Sequence, residues 1–152
     1  MTSRPPIRAA RAGDVAVVAA VVRAAYAPYV ARIGREPAPM AADYAALVGA
    51  GEVWIATDEA DRPNAVLVMR PRDAALFVEN VAVRPGLQGR GIGRALLTYA
   101  EECGRALGLA EVTLYTNELM VENLGYYPAL GYVETDRRRE DGFDRVFFVK
   151  RL

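Results

Sequence analysis

Apolar positions recur along the chain at two spacings, roughly every 3.6 residues and every second residue, and the switches between them lay out the elements. Residues 7–10 form a short strand candidate. Val15, Val18, Ala19, Val22 and Tyr26 then fall on one helical face, with Asp14 placed to cap the helix and Pro28 to end it. The segment 29–39 carries Arg32, Arg35, Glu36 and two prolines and reads as an irregular connection. A second helix is expected from about Met40 through Tyr44, Leu47 and Val48 to Gly49, with Gly51 as its stop signal. Three strands follow, over Val53–Thr57, 65–70 and 76–83, divided by the polar loop 58–64 and a turn at 71–73. Links this short imply antiparallel neighbours. The clearest helix places Ile92, Ala95, Leu96, Tyr99, Ala100, Cys103 and Leu107 on one side, and Arg94, Thr98, Glu101, Glu102 and Arg105 on the other. Gly108 closes it. A strand over 111–115, a helix over 119–130 and a strand pair over 132–138 and 145–151 complete the chain.

The order β α α β β β α β α β β defines a mixed α/β (α+β) class. Within it the strand–helix–strand unit 76–115 must cross over right-handedly and pair its strands in parallel. A chain of 152 residues buries roughly two-thirds of its unfolded surface, enough for one core, so a single domain over 1–152 is expected. Composition narrows the chemistry further. Charged residues make up 25%, with 19 basic against 19 acidic side chains, so no long-range field gathers nucleic acid or a membrane surface. Residues 1–8 lack an apolar export segment, and no run approaches 18 apolar residues. The one cysteine, Cys103, excludes an internal disulfide and suits a reducing cytoplasm; its place in the helical pattern points it at the core. No histidine is present, which removes Ser–His and Cys–His nucleophiles and nearly every zinc site. No metal is expected, and any chemistry falls to carboxylates, tyrosines or the backbone.

The decisive stretch runs from the strand end Val81-Ala82-Val83 through Pro85 and Gly86 to Gln88-Gly89-Arg90-Gly91-Ile92-Gly93-Arg94, straight into the clearest helix. A strand that enters a helix through alternating glycines leaves unpaired N–H groups at the positive end of the helix dipole, an anion site to which Arg90 and Arg94 add charge. The dinucleotide fingerprint G-x-G-x-x-G fails, because its last position falls on Arg94 or Leu96, and no Lys-Ser or Lys-Thr follows to make a P-loop. An ordinary glycine turn is the plain alternative.

Gln88-x-x-Gly91-x-Gly93 after Val81-Ala82-Val83-x-Pro85 resembles the acetyl-CoA-binding motif of the GNAT (Gcn5-related) N-acetyltransferases. Tyr126-Tyr127-Pro-Ala-Leu-Gly131-Tyr132 resembles their second signature. The element order matches over nearly the full chain. The resemblance implies a central mixed sheet of about seven strands with the fourth and fifth splayed, and four helices. Acetyl-CoA would then lie with its pyrophosphate on Gln88 to Arg94 and its pantetheine arm along Val81, Ala82 and Val83, the thioester entering a gap between 81–83 and 114–116. Tyr127 stands where similar proteins carry a tyrosine beside the coenzyme sulfur, with Tyr126 next to it. An asparagine often lies seven residues before that tyrosine; Met120 is there, and Asn117 and Asn123 flank it as substitutes.

Acetyl transfer to an amine has two proton problems: the amine must lose a proton to attack, and the departing thiolate gains from a donor. Tyr127, with an ordinary phenol pKa of about 10, is the donor candidate; its alternative is packing. For the base, Glu79 stands on the strand Phe77-Val78-Glu79-Asn80-Val81, where burial would raise its pKa; its alternative is a surface or ion-paired glutamate, with water as base. Acceptor contacts are expected from the first two helices and their connection, through Tyr26, Tyr29 and Arg32 with Arg35, Glu36, Met40 and Tyr44 nearby, and from the last strand pair. The acceptor is a small-molecule or peptide amine. Residues 146–149 offer an edge for a homodimer. A non-catalytic acyl-CoA sensor and a dimerising structural module are the rival classes.

Overall fold

The computed structural model describes residues 4–152, so the first three residues of the stretch read as free of an export segment lie outside the described residues. Seven strands form one sheet, with β1 (Ile7–Ala9), β2 (Val53–Thr57), β3 (Pro63–Arg72), β4 (Ala75–Val83), β5 (Glu111–Asn117), β6 (Val133–Glu140) and β7 (Phe143–Arg151) in the order β1-β2-β3-β4-β5-β7-β6. β4 and β5 are parallel, as the crossover requires, and their register covers only Leu76, Val78 and Phe77 against Val112, Leu114 and Thr113. Among the described residues it goes no further, although β4 continues to Val83 and β5 to Asn117. The other registered pairs, β1–β2, β2–β3, β5–β7 and β6–β7, are antiparallel.

Two hairpins are tighter than the sequence pattern indicates. The β3–β4 turn falls on Asp73 and Ala74, not on 71–73, and the β6–β7 turn on Asp141 and Gly142; all four residues have positive φ, the geometry that matches strand twist across a two-residue loop. Both strand pairs are correspondingly longer than expected. β7 lies between β5 and β6, so residues 146–149 are not an edge, and the C-terminal edge is β6.

The backbone divides into two compact units, one comprising the residues up to Met69 with Asn80–Tyr99, the other Arg70–Glu79 with Ala100–Leu152. In the first, α1 (Val15–Tyr26) sets Val18, Val21, Val22 and Ala25 against Val53 and Ile55 of β2, Val66 and Val68 of β3, and Ala82. Burial of each large aliphatic side chain there contributes on the order of 1.5–3 kcal/mol. The helical run Ala12–Ile33 is long and apolar enough on length and composition to cross a membrane, but this inward face belongs to the core. Pro28 does not stop the run. It tightens Ala27–Tyr29 into a 3₁₀ turn, which passes into α2 (Val30–Ile33) and ends at Gly34 with φ 88°. Counting that run once and setting aside the separate 3₁₀ turn Ala38–Ala41, the helices number four among the described residues: Ala12–Ile33, α3 (Tyr44–Gly49), α4 (Ile92–Ala106) and α5 (Val121–Ala129).

Two further expectations change. The helix read from Met40 to Gly49 splits into a 3₁₀ turn at Ala38–Ala41, where Pro39 sits in the first turn, and α3, whose cap Asp43 accepts from the Ala46 amide at 3.0 Å. Asp14 does not cap α1 through its side chain. Its carboxylate accepts from Arg8 at 2.8 Å and from the Arg11 amide at 2.7 Å, and the Arg8 bond holds it below the usual carboxylate range.

Candidate active site

In the first unit, the end of β4 feeds α4 through the glycine turn. Gly86, Gly89 and Gly91 adopt φ of 89°, 79° and 82°, the left-handed region that side chains resist, and a Cβ on any of them would meet open space. A side chain at any of the three would therefore point into open space. The helix's first bond from the turn is the Ala95 amide to the Gly91 carbonyl, 3.0 Å, and the Leu87 amide bonds back to Arg84 at 3.1 Å. The N–H groups of residues 88–94 between them find no acceptor among the described residues. Arg90 and Arg94 are exposed and carry no carboxylate partner among the described residues. The donor set is therefore a run of amides at the positive end of a four-turn helix with two unneutralised guanidinium groups, which fits a diphosphate. Gln88 plays another part: its Nε2 donates to the Val83 carbonyl at 3.3 Å and ties the turn to its strand. Val81 and Val83 are half-buried at the strand end, while Ala82 is in the core; Ile92 and Gly93 open α4, half-buried.

The tyrosines read as acceptor lining are otherwise engaged. The Tyr26 hydroxyl donates to Oδ1 of Asn80 at 2.7 Å, the Asn80 amide donates to the Tyr44 hydroxyl at 3.2 Å, and Tyr44 donates to the Pro39 carbonyl at 2.6 Å. Asn80 is buried at 3% exposure, and Tyr44 and Met40 are core residues rather than lining. Arg32 stacks on the Tyr29 ring with its guanidinium carbon 4.9 Å from the centroid, and Glu36 pairs with Arg23. Nothing in the motif reading pointed to Asn80. The one signal was a lone amide at an alternating position between Val78 and Ala82, where a strand otherwise holds apolar side chains.

In the second unit, Glu79 forms an ion pair with Arg70, whose guanidinium also lies 5.5 Å from the Phe77 centroid. Glu79 is thus an ion-paired, partly exposed carboxylate. Phe77, Tyr115 and Phe147 make a row of rings across β4, β5 and β7, with centroid spacings of 5.8 and 5.6 Å. Arg72, Arg145 and Arg138 lie over Phe77, Tyr115 and Phe147 in turn. A concavity of about 320 Å³ opens on this row. The combination of rings and guanidinium groups expected on the N-terminal helices occurs here as well.

Tyr127 sits near the end of α5, which begins at Val121 rather than at 119, because Asn117 folds 117–120 into a turn: its Oδ1 accepts from the Leu119 amide at 2.9 Å and its carbonyl from Met120 at 3.0 Å. Asn123 donates to the Thr116 hydroxyl at 3.0 Å. Both asparagines thus hold local structure. The Tyr127 ring meets Tyr126, Tyr132 and Phe148 at 5.4, 5.8 and 5.6 Å. Its hydroxyl makes no hydrogen bond among the described residues, and no polar side-chain atom there is sealed in without a partner, so this hydroxyl is open to an incoming group. Burial, and after it the neighbouring Tyr126, pushes the phenol well above its ordinary value. Such a group stays protonated through the neutral range and can donate but not accept a proton.

The amphipathic face of α4 is rotated from the expected one. Leu97 is buried and Leu107 is 60% exposed, while Cys103 is half-buried. Glu101, expected on the outer side, is 7% exposed. It accepts from Lys150 at 2.9 Å and from the Tyr132 hydroxyl at 3.2 Å. Gly104 has its own reason to lack a side chain, since a Cβ there would come within 2.6 Å of Leu152 Cδ1.

The glycine turn, the strand before it and all of α5 lie inside residues 49–134, the span that matches the acetyltransferase (GNAT) domain family model. The chain belongs to the GNAT acetyltransferase family. It is an acetyl-CoA-dependent acetyltransferase, and its fold recurs throughout that family. A GCN5-related N-acetyltransferase from Rhodopseudomonas palustris superposes with a TM-score of 0.83 at 22% identity, covering 100% of this chain and 98% of its own. The PaiA N-acetyltransferase of Thermoplasma acidophilum, solved with coenzyme A, gives 0.80 at 16%, covering 99% and 100%. The ribosomal-protein-S18-alanine N-acetyltransferase of Escherichia coli gives 0.74 at 19%, covering 97% and 93%. No curated protein matches the chain. At these identities the likeness is one of fold, and GNAT membership rests on the family match.

Proposed function

We propose that this GNAT protein transfers the acetyl group of acetyl-CoA to a primary amine by direct attack, with the whole chain acting as one catalytic domain in the cytoplasm. The observation that carries this is the run of unpartnered amides over 88–94, which includes the exposed Arg90 and Arg94. The amine nitrogen forms its bond to the acetyl carbon as the carbon–sulfur bond breaks. One proton leaves the amine, and one reaches the sulfur. Tyr127 supplies the second: its raised phenol pKa keeps the proton in place, and its hydroxyl has no competing partner among the described residues. For the first, Glu79 is the carboxylate offered on β4, taking the proton directly or through water, with Arg70 holding it in place.

The test is thiol release from acetyl-CoA across a panel of primary amines, with wild type and Tyr127→Phe compared. Loss of a general acid predicts a fall in kcat of about a hundredfold with acetyl-CoA affinity unchanged. Because the phenol pKa is raised, the donor form persists on the alkaline side, so wild-type kcat should rise as the amine deprotonates and show no alkaline decline below about pH 10. Tight acetyl-CoA binding without thiol release from any amine would turn the chain into a sensor and end the enzymatic reading.

A further inference from the structure

Lys150 is the only lysine in a chain whose other basic side chains are all arginine. Its ammonium, on β7, donates to two acceptors at once: Glu101 Oε1 on α4 and the Leu130 carbonyl, each at 2.9 Å. The Leu130 carbonyl is one of those left unpaired at the end of α5, where a cation is favoured by the helix dipole. The second oxygen of Glu101 accepts from the Tyr132 hydroxyl. The Tyr132 amide in turn donates to the Tyr127 carbonyl at 3.1 Å, and the Tyr132 ring stands edge-on to the Tyr127 ring. Two routes therefore run from one ion pair to Tyr127, one through the helix end and one through Tyr132.

The residue types match this task. A compact ammonium with three rotatable donors reaches both the Glu101 carboxylate and the Leu130 carbonyl from one point. Gly131, with φ 94°, leaves the room: a Cβ there would stand 3.3 Å from Lys150 Cε. Only the Glu101 end of this ion pair is buried, Lys150 being partly exposed, and such a pair adds little net stability over apolar side chains of the same volume.

We propose that Lys150 and Glu101 are positioning residues for Tyr127, fixing the end of α5 and the Tyr132 ring so that the Tyr127 hydroxyl keeps one orientation. This rests on the reading of Tyr127 as the proton donor. Removing one partner alone strands a charge and can unfold the chain, so the test is the paired variant Glu101→Gln with Lys150→Met, which strands none. Two measurements apply. Ring signals of carbon-13-labelled tyrosine should shift or broaden for Tyr127, while those of Tyr29 stay in place. Thiol release from acetyl-CoA, with water as the nucleophile, should fall about tenfold in kcat with KM for acetyl-CoA changed by less than about twofold, and the same pair introduced into Tyr127→Phe should cost nothing further. Unchanged Tyr127 ring signals would overturn the proposal, as would an equal loss in the Tyr127→Phe background. If Tyr127→Phe alone leaves kcat unchanged, the donor reading falls, and that outcome is separable because the ring signals report the positioning without reference to rate.

Discussion

Residues 88–94 display backbone amides that have no partner among the described residues, whereas the polar groups around Tyr132 are tied to one another across three elements. In the proposed function, the first region binds by what it leaves open. Its geometry is set locally, by glycines in a left-handed conformation and by the start of a helix, and costs the protein little to maintain because water satisfies the amides until a ligand does. The second region works by what it holds shut. The Tyr127 ring there packs against Tyr126, Tyr132 and Phe148, while its hydroxyl makes no hydrogen bond among the described residues. The contrast predicts that substitutions in the ring cluster are felt first in stability and turnover, and those in the glycine turn first in binding.

The largest effect should come from Lys150→Met alone. It leaves the Glu101 carboxylate buried beside Tyr132 without its cation, and breaking a buried pair in this way costs about 3–5 kcal/mol, reduced to about 2–3 here because Lys150 is partly exposed. Thermal unfolding should show a drop on the order of 10 °C, while the paired variant with Glu101→Gln recovers most of it. If the single and paired variants melt together, the region is not held by this ion pair and the contrast with the glycine turn collapses.

Gly91→Val sharpens the other side. The protein leaves open space at that position, so the only internal obstacle is the backbone, where a β-branched side chain at φ 82° costs about 1–2 kcal/mol. The new side chain would also stand where the phosphates are expected. Acetyl-CoA affinity by calorimetry should fall about thirtyfold, about 2 kcal/mol. A variant that binds as wild type does would show that the open side of the turn is not the side the ligand uses.

These two regions were not equally legible. The glycine turn reads directly from the sequence because each signal lies within a few residues of the next: a strand end, three alternating glycines, a periodic helix. The same holds for Tyr127, which a local signature marks. Glu101 and Lys150 lie 49 positions apart, and a periodicity argument assigns a glutamate to the solvent side unless its cation is known to arrive from elsewhere. The buried face of α4 accordingly includes Glu101 alongside Leu96, Leu97 and Ala100. The contacts of Tyr26 and Tyr44 with Asn80 are hidden from a local reading for the same reason, since Asn80 comes from a strand 54 and 36 residues away. Pro28 is a different case, a local rule overridden, because a 3₁₀ turn absorbs the missing amide without ending the helical run.

The smallest effect expected is that of Arg90→Ala or Arg94→Ala, and it discriminates between two ways an open turn can hold a diphosphate. If the backbone amides and helix dipole do most of the holding, each exposed guanidinium adds about 1 kcal/mol, because water and salt screen it. Each variant should then weaken acetyl-CoA about fivefold at low ionic strength, and the difference from wild type should shrink as salt is raised through about 0.15 M, where the screening length is near 8 Å. Melting temperature should be unchanged, since neither arginine has a carboxylate partner to lose among the described residues. A loss far larger than this, or one insensitive to salt, would mean that the arginines clamp the phosphates at short range and that the amides over 88–94 are secondary. No change in affinity at any salt concentration would leave the turn binding through its backbone alone.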